Sequence, residues 1–387
     1  MVRVALASVI SICFATAESG CVASGRLPRL SATHTVEELI DQGQDPSQTS
    51  LQRDFDSAYA PSAEMKRFVR ENVPTDALPK QRLDALIGAL ETNELLNLRY
   101  QNDQTHSASE TFANREGNCL SFTMMVASLA ELADLEVSFQ RVAVPTRWYL
   151  SDGWIALDEH INLLVRAQPN LLASGSQLVI DFNTPDFFGR YPTRTLTKAA
   201  VGALYFSNLG AESLRKGDFR RARQRLSYAL RLDPSSVSAL VNLAALELRN
   251  SNFDKAESAL ILALQEDPTH PVALASLADT YAHLGQHSLA RKIEARITKL
   301  RAKDPLNLLR ESQELLDAGQ TQLALKKINV ALKSTPSEPL LFMQRARIAV
   351  ALENALQAEE DLQLAEEHSV GAIAIQQVQD LRKALLK

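Results

Sequence analysis

Cysteine, glycine, proline and positive charge are all in short supply in this sequence. Only three cysteines occur, Cys13, Cys21 and Cys119. Three is too few for a disulfide scaffold and short of a four-cysteine zinc site. With Gly 14 and Pro 15 among 387 residues, collagen-like and low-complexity readings are excluded. Lys+Arg (41) does not exceed Asp+Glu (46), and the net charge is −5. There is no basic surplus to neutralise a phosphate backbone, so no nucleic-acid partner is expected. No apolar run reaches the roughly 20 residues that a membrane-spanning helix needs. What remains is 45% hydrophobic and 22% charged, the profile of a globular chain with a sizeable core. The length suggests two to three domains.

The N-terminus has the layout of an export signal. Arg3 gives a short positive start, and Val4 to Ala17 (VALASVISICFATA) carries no charge over 14 residues. That run is too short to span a bilayer and fits a signal-peptide core. Two processing sites compete. Ala15-Thr16-Ala17 is an A-x-A site. Ser19-Gly20-Cys21 resembles the end of a bacterial lipobox, although Glu18 stands where a Leu-like residue is expected. Cleavage at the second site would leave Cys21 lipidated, so the expected location is exported: periplasmic, or held on a membrane through lipid alone. Cys13 lies inside the signal core and needs no chemical role. Residues 22–59 are polar and turn-rich, and read as a linker with one short helix around 36–41.

The C-terminal half repeats itself every 34 residues. Gly217-Asp218-Phe219 with Ala222, Ala229 and Pro234 recurs as Ser251-Asn252-Phe253 with Ala256, Ala263 and Pro268. The same register then takes in Ala290, then Ala324, Ala331 and Pro336, then Ala358 and Ala365. Five units follow, starting near Ala203, Val237, Pro271, Pro305 and Pro339. The third departs most, with Ile297 for the second Ala and Ala302 for the closing Pro. Each unit reads as two helices around a polar turn, with Gly210, Ala244, Ala278, Ser312 and Ala346 where the helices cross. A lone helix pair cannot bury its apolar face, so neighbours must stack. The period and pattern resemble the tetratricopeptide repeat family. That resemblance implies a right-handed solenoid over 203–371 whose concave face binds a protein or peptide partner, closed by a capping helix over 372–387. His283 and His287 are four apart, but Gly285 lies between them in the turn, and no metal is assigned to them.

Residues 60–200 form a different domain. Apolar residues at three- and four-residue intervals predict helices over 63–72 and 80–97, and a third from Cys119 to Leu132. Alternating runs over 136–144, 147–150, 154–157, 160–165 and 177–182 then read as strands, with Asp152-Gly153 as a hairpin turn. A cysteine opening a helix, then a histidine and an aspartate on later strands, has a chemical reading. The helix N-terminus lowers a thiol pKa, a histidine takes its proton, and a carboxylate fixes the histidine tautomer. Each residue also has an ordinary reading: a core cysteine, a structural histidine, a turn aspartate. Asp158 and Asp186 are alternative carboxylates.

The stretch from Thr105 to Asn183 resembles the transglutaminase-like superfamily of the papain-like fold. The matching residues are Arg115-x-Gly117-x-Cys119, the strand from His160 to Val165, and Val179-Ile-Asp181-Phe182-Asn183. The resemblance implies an α+β domain with Cys119 as nucleophile, His160 as general base and acid, and Asp181 as the orienting carboxylate. It also implies cleavage or transfer of amide-linked acyl groups through a thioester, with no cofactor. Gln101, Asn102 and Gln104 are side-chain candidates for an oxyanion donor. Trp148 and Trp154 either wall the cleft or pack in the core. The contrasting reading is a non-catalytic adaptor of the cell envelope, built from the same two parts.

Overall fold

The computed structural model describes residues 31–40, 47–95, 98–101, 104–144, 149–151, 154–156, 160–167, 177–182, 191–370 and 372–386. The expected signal segment, with Cys13 and the lipidation candidate Cys21, lies outside the described residues. The chain forms two compact units. The first comprises Met1–Val142, Tyr149–Phe182 and Thr193–Glu294; the second comprises Ala143–Trp148, Asn183–Pro192 and Ala295–Lys387.

The first unit opens with α1 (Val36–Leu39), one turn closed by a reciprocal capping box between Thr35 and Glu38. Just before it, the Thr33 hydroxyl lies 2.9 Å from the Ser258 hydroxyl. Then comes α2 (Ser47–Tyr59), which corrects the linker reading of 22–59. Phe55, Ala58 and Tyr59 are buried at helical spacing, and the Phe55 ring sits 6.1 and 6.4 Å from those of Tyr205 and Phe206. The aromatic anchors decide the outcome, although most of the segment is polar.

Helix α3 (Ala63–Asn72) starts where Ser62 accepts from the Met65 N–H. Helix α4 (Pro79–Thr92) ends earlier than the pattern suggests, because Glu94 takes a left-handed φ of 56° just after the Asn93 cap. Strand β1 (Arg99–Tyr100), helix α5 (Ala108–Asn114) and strand β2 (Glu116–Gly117) lead into α6 (Cys119–Leu132). β1 and β2 pair in parallel. α6 is buried all round, from Leu120 to Ala130 without a break. A helix apolar on every face belongs at the centre of a fold.

Strands β3 (Glu136–Val142), β4 (Tyr149–Ser151), β5 (Trp154–Ala156), β6 (His160–Arg166), β7 (Gln177–Ile180) and β8 (Thr193–Thr195) follow. Four form one antiparallel sheet in the order β7-β6-β3-β8, with Val142 opposite His160 and Leu163 opposite Ile180. β4 and β5 form a separate antiparallel pair with Ser151 opposite Trp154. α6 packs against β6 and β3. This buries six consecutive residues of β6, from His160 to Val165.

The repeats begin at α7 (Lys198–Arg215) and α8 (Phe219–Leu232), then α9 (Val237–Arg249) and α10 (Phe253–Glu266). α11 (Pro271–His283) and α12 (His287–Arg301) make the third pair. The division between the compact units falls within α12, the helix that carries Ile297 in place of the repeat alanine. At Gly210 an added Cβ would stand 2.7 Å from the Leu226 side chain, so the α7–α8 crossing is as close as its small residue allows. His283 stacks on the Phe253 ring at 5.7 Å.

The second unit holds α13 (Pro305–Asp317), α14 (Thr321–Ser334), α15 (Pro339–Ala351), α16 (Ala355–His368) and α17 (Ala372–Leu385). Its core gathers Leu308, Ile328, Leu341, Ala346, Leu362 and Val378. Asp361, fully buried, receives three hydrogen bonds from the Arg345 guanidinium at 2.6 to 3.0 Å. Arg382 ties α17 to Glu366 of α16 at 2.7 Å. Of the five starts that the 34-residue register names, Val237, Pro271, Pro305 and Pro339 open α9, α11, α13 and α15, while Ala203 lies within α7, which opens at Lys198. No helix among the described residues is long and apolar enough to cross a membrane.

Candidate functional site

Cys119 is the first residue of α6 and is half-buried. The backbone before it is forced into shape. Arg115 ends α5 in the left-handed region (φ 56°), held by its guanidinium donating to the Asn93 carbonyl at 2.5 Å. Gly117 follows at φ 155°. An added Cβ there would meet the Ser121 Cβ at 2.7 Å. Only glycine fits both the angle and the space.

Asn118 then caps α6. Its Oδ1 accepts from the Ser121 N–H and the Ser121 hydroxyl, both at 2.9 Å. Its Nδ2 donates to the Thr105 hydroxyl at 2.8 Å. The Ser121 Oγ accepts from the His106 N–H at 2.9 Å. The cap leaves Cys119 as the first residue of a buried helix, at the positive end of its dipole.

His160 opens β6 and is 3% exposed. Its Nε2 lies 2.8 and 2.9 Å from the two carboxylate oxygens of Asp181, which stands just past the end of β7. Asn162 donates to the same carboxylate at 3.3 Å. Two residues apart on a strand, His160 and Asn162 share one face and reach Asp181 together. Phe182 packs on Phe122 with ring centroids 5.3 Å apart. Phe122 is one turn beyond Cys119, so the first turn of α6 abuts the chain that carries Asp181.

His160 and Asp181 are thus in direct contact, on elements that pack against the helix that Cys119 opens. Among the alternatives, Asp158 and Asp186 lie outside the described residues, as do Trp148 and Asn102. Trp154 lies in β5. The Gln101 side chain is taken up by Glu116 at 2.8 Å, and Gln104 is exposed. Neither gives α6 a donor. Among the described residues, no group of three His, Cys, Asp or Glu side chains is arranged to hold a metal.

The sequence reading passed over the polar frame around Cys119: Thr105, Asn118, Ser121 and Glu212. Asn118 carried a usable signal, since asparagine before an apolar helix is a favoured N-cap. The Thr105–Glu212 contact carried none, because its partners lie 107 positions apart.

Glu110 is held below the ordinary 4.5 by the Ser107 backbone N–H and then by the Ser107 hydroxyl. Farther off, burial first, then the Glu131 charge, pushes the Tyr59 phenol up.

Comparison with known proteins bears on the repeats. Residues 208–271 and 252–306 each match the tetratricopeptide repeat family. The C-terminal region therefore carries tetratricopeptide repeats in an all-helical array. Solved structures similar to the chain include that of YrrB, described as a TPR protein with an unusual peptide-binding site. It is 18% identical, with 46% of this chain and 92% of that chain covered and a TM-score of 0.25. The MamA protein is similar at 16% identity, 43% and 91% coverage, and a TM-score of 0.25. Pseudomonas aeruginosa pilF is similar at 17% identity, 47% and 83% coverage, and a TM-score of 0.25. No curated protein sequence matches the chain.

Proposed function

We propose that the protein is an interaction scaffold whose repeat array binds a protein or peptide partner along its concave face. The observation that carries this reading is the repeat itself: paired helices on a 34-residue register, matched by the tetratricopeptide family. Stacked repeats present an extended surface suited to a chain of matching length. The test is a displayed peptide library panned on the full chain, with binders followed by hydrogen exchange. A selected peptide should bind with micromolar affinity and protect the first helix of consecutive repeats. Failure to select any peptide, or protection confined to residues 60–195, overturns the reading. Export, with lipid at Cys21 or cleavage after Ala17, belongs to the same proposal; the intact mass of the mature chain decides between the two.

A second reading is favoured by one contact, the approach of the Asp181 carboxylate to His160 Nε2. With its Nε2 proton shared with Asp181, His160 would take the proton of the Cys119 thiol at Nδ1. The thiolate attacks an amide carbonyl and the C–N bond breaks. The departing amine takes its proton from His160, leaving a thioester on Cys119. Water or a second amine then attacks the thioester, gives its proton to His160 and expels the thiolate. Substrate would be brought by the repeats. This reading predicts that iodoacetamide alkylates Cys119 near neutral pH much faster than an ordinary thiol, and that His160→Ala slows it. An inert Cys119 in the wild-type chain sinks this reading and leaves the scaffold.

A further inference from the structure

Glu212 lies in the last turn of α7, the first helix of the first repeat. Its Oε1 accepts from the Thr105 backbone N–H at 2.7 Å. Thr105 is 8% exposed, and its hydroxyl in turn accepts from Asn118 Nδ2 at 2.8 Å. Asn118, 6% exposed, holds the Ser121 N–H and closes the N-terminus of α6 immediately before Cys119. A continuous line of three hydrogen bonds therefore runs from a carboxylate on the repeat array to the cap of the cysteine helix. We infer that Glu212 is a positioning residue, through which the first repeat fixes the frame around Cys119. The inference rests on the thiol reading for its chemical consequence.

Three features make the line more than incidental packing. First, the donors and acceptors are matched at each step. The Asn118 amide oxygen faces an N–H, which forces its nitrogen toward the Thr105 hydroxyl, and Thr105 spends its own N–H on Glu212. Second, consecutive backbone groups diverge to the two helices. The Thr105 N–H goes to α7 and the His106 N–H goes to Ser121 of α6, so the two successive peptides at 104–106 form a cross-brace between them. Third, the repeat itself does not require this carboxylate. The equivalent positions, 34 residues apart, hold Leu246, Thr280, Glu314 and Ile348. Of these, Glu314 faces solvent and pairs with Arg310.

The consequence for the thiol is electrostatic. Cys119 gains from the helix N-terminus only while the first-turn N–H groups stay aligned, and the dipole acts over that turn alone. If Asn118 loses its fixed rotamer, the first turn frays and the thiolate loses its advantage. Anything that shifts the end of α7 reaches Cys119 by this route.

The experiment uses the full chain with Glu212→Ala, Glu212→Gln and Thr105→Val, each read at Cys119 by peptide-resolved mass spectrometry. In Glu212→Ala the apparent pKa of iodoacetamide alkylation should rise by about 0.5–1 unit, a slowing of about 3–10-fold near pH 7. Glu212→Gln keeps an acceptor oxygen and should restore most of the rate. Hydrogen exchange should quicken in residues 104–107 and 118–123 and nowhere else. A reactive wild-type thiol whose pH profile is unchanged in Glu212→Ala overturns the inference. So does exchange that is unchanged, or that rises evenly with loss of folded protein. An inert wild-type Cys119 would refute the thiol reading alone, because the exchange result still decides whether Glu212 holds the frame.

Discussion

The His160 ring and the Asp181 carboxylate meet edge-on, with Nε2 within 2.9 Å of both carboxylate oxygens. On the thiol reading, the Nε2 proton is shared with Asp181 and Nδ1 serves as the acceptor. Asp181→Asn removes the charge that supports the imidazolium and allows the amide nitrogen to face the ring, which favours the other tautomer. On the thiol reading, alkylation of Cys119 at pH 7 should fall by about 10–100-fold in Asp181→Asn. The thermal midpoint should move little, since Asp181 is partly exposed. Unchanged alkylation would show that Asp181 does not act on the thiol.

Gly117→Ala should be among the most damaging single changes in the first unit. It combines a φ of 155° with a Cβ placed 2.7 Å from that of Ser121. Ser121 cannot retreat, because its hydroxyl and N–H are bound to Asn118 and its neighbours in α6 are buried. A forced φ and a backbone-proximal clash together cost about 2–4 kcal/mol. Urea unfolding should register that loss. A variant within about 0.5 kcal/mol of wild type would mean the 115–118 turn is free to rearrange.

The capping box at α5 makes a prediction about pH. Glu110 accepts from the Ser107 N–H at 2.9 Å and from its hydroxyl at 2.7 Å. These bonds favour the charged form and lower its pKa from 4.5. A depressed folded-state pKa adds stability that is complete above the unfolded value. That stability is lost as the pH falls through the folded value. Glu110→Gln keeps the acceptor oxygen but cannot titrate. Below pH 4.5 the urea midpoint of the wild type should therefore fall more steeply than that of Glu110→Gln. Parallel curves would remove Glu110 from the acid transition.

Much of this architecture is legible in the residues, and the illegible parts share a cause. The alanines that recur every 34 residues mark helix crossings, and a crossing tolerates few alternatives, so starts read near Val237, Pro271, Pro305 and Pro339 coincide with those of α9, α11, α13 and α15, while Ala203 falls inside α7. The order Cys119, His160, Asp181 likewise points to a helix start and two strands; Cys119 opens α6 and His160 opens β6, while Asp181 falls just past the end of β7. Helix α2 escapes a composition-based reading because its buried anchors among the described side chains, Phe55, Ala58 and Tyr59, sit inside a polar segment. β8 spans three exposed residues, and α5 only seven, so neither gives a period to read. The hydrogen bond from Thr105 to Glu212 joins two unrelated segments, and no local pattern encodes such a contact.

The turns inside the repeats offer the cleanest stability test. Gly217, Ser251, Gly285, Gly319 and Glu353 follow one another at 34-residue steps, and all five have positive φ, between 57° and 75°. The chain needs a left-handed residue after the first helix of every repeat, as helix C-termini commonly do. Three repeats supply glycine, while Ser251 and Glu353 accept the strain. A left-handed residue other than glycine costs about 1–2 kcal/mol, and glycine gives back part of this through the freedom of the unfolded chain. Ser251→Gly and Glu353→Gly should therefore each stabilise by about 0.5–1 kcal/mol. Gly217→Ala, Gly285→Ala and Gly319→Ala should each destabilise by about 1 kcal/mol, through φ alone, because nothing lies within 4 Å of an added Cβ at these positions. Each change can be read from urea unfolding of the full chain. The sign should depend only on whether glycine is gained or lost. A destabilised Ser251→Gly would show that its side chain, or the stiffness of a residue other than glycine, outweighs the relief of backbone strain at that turn.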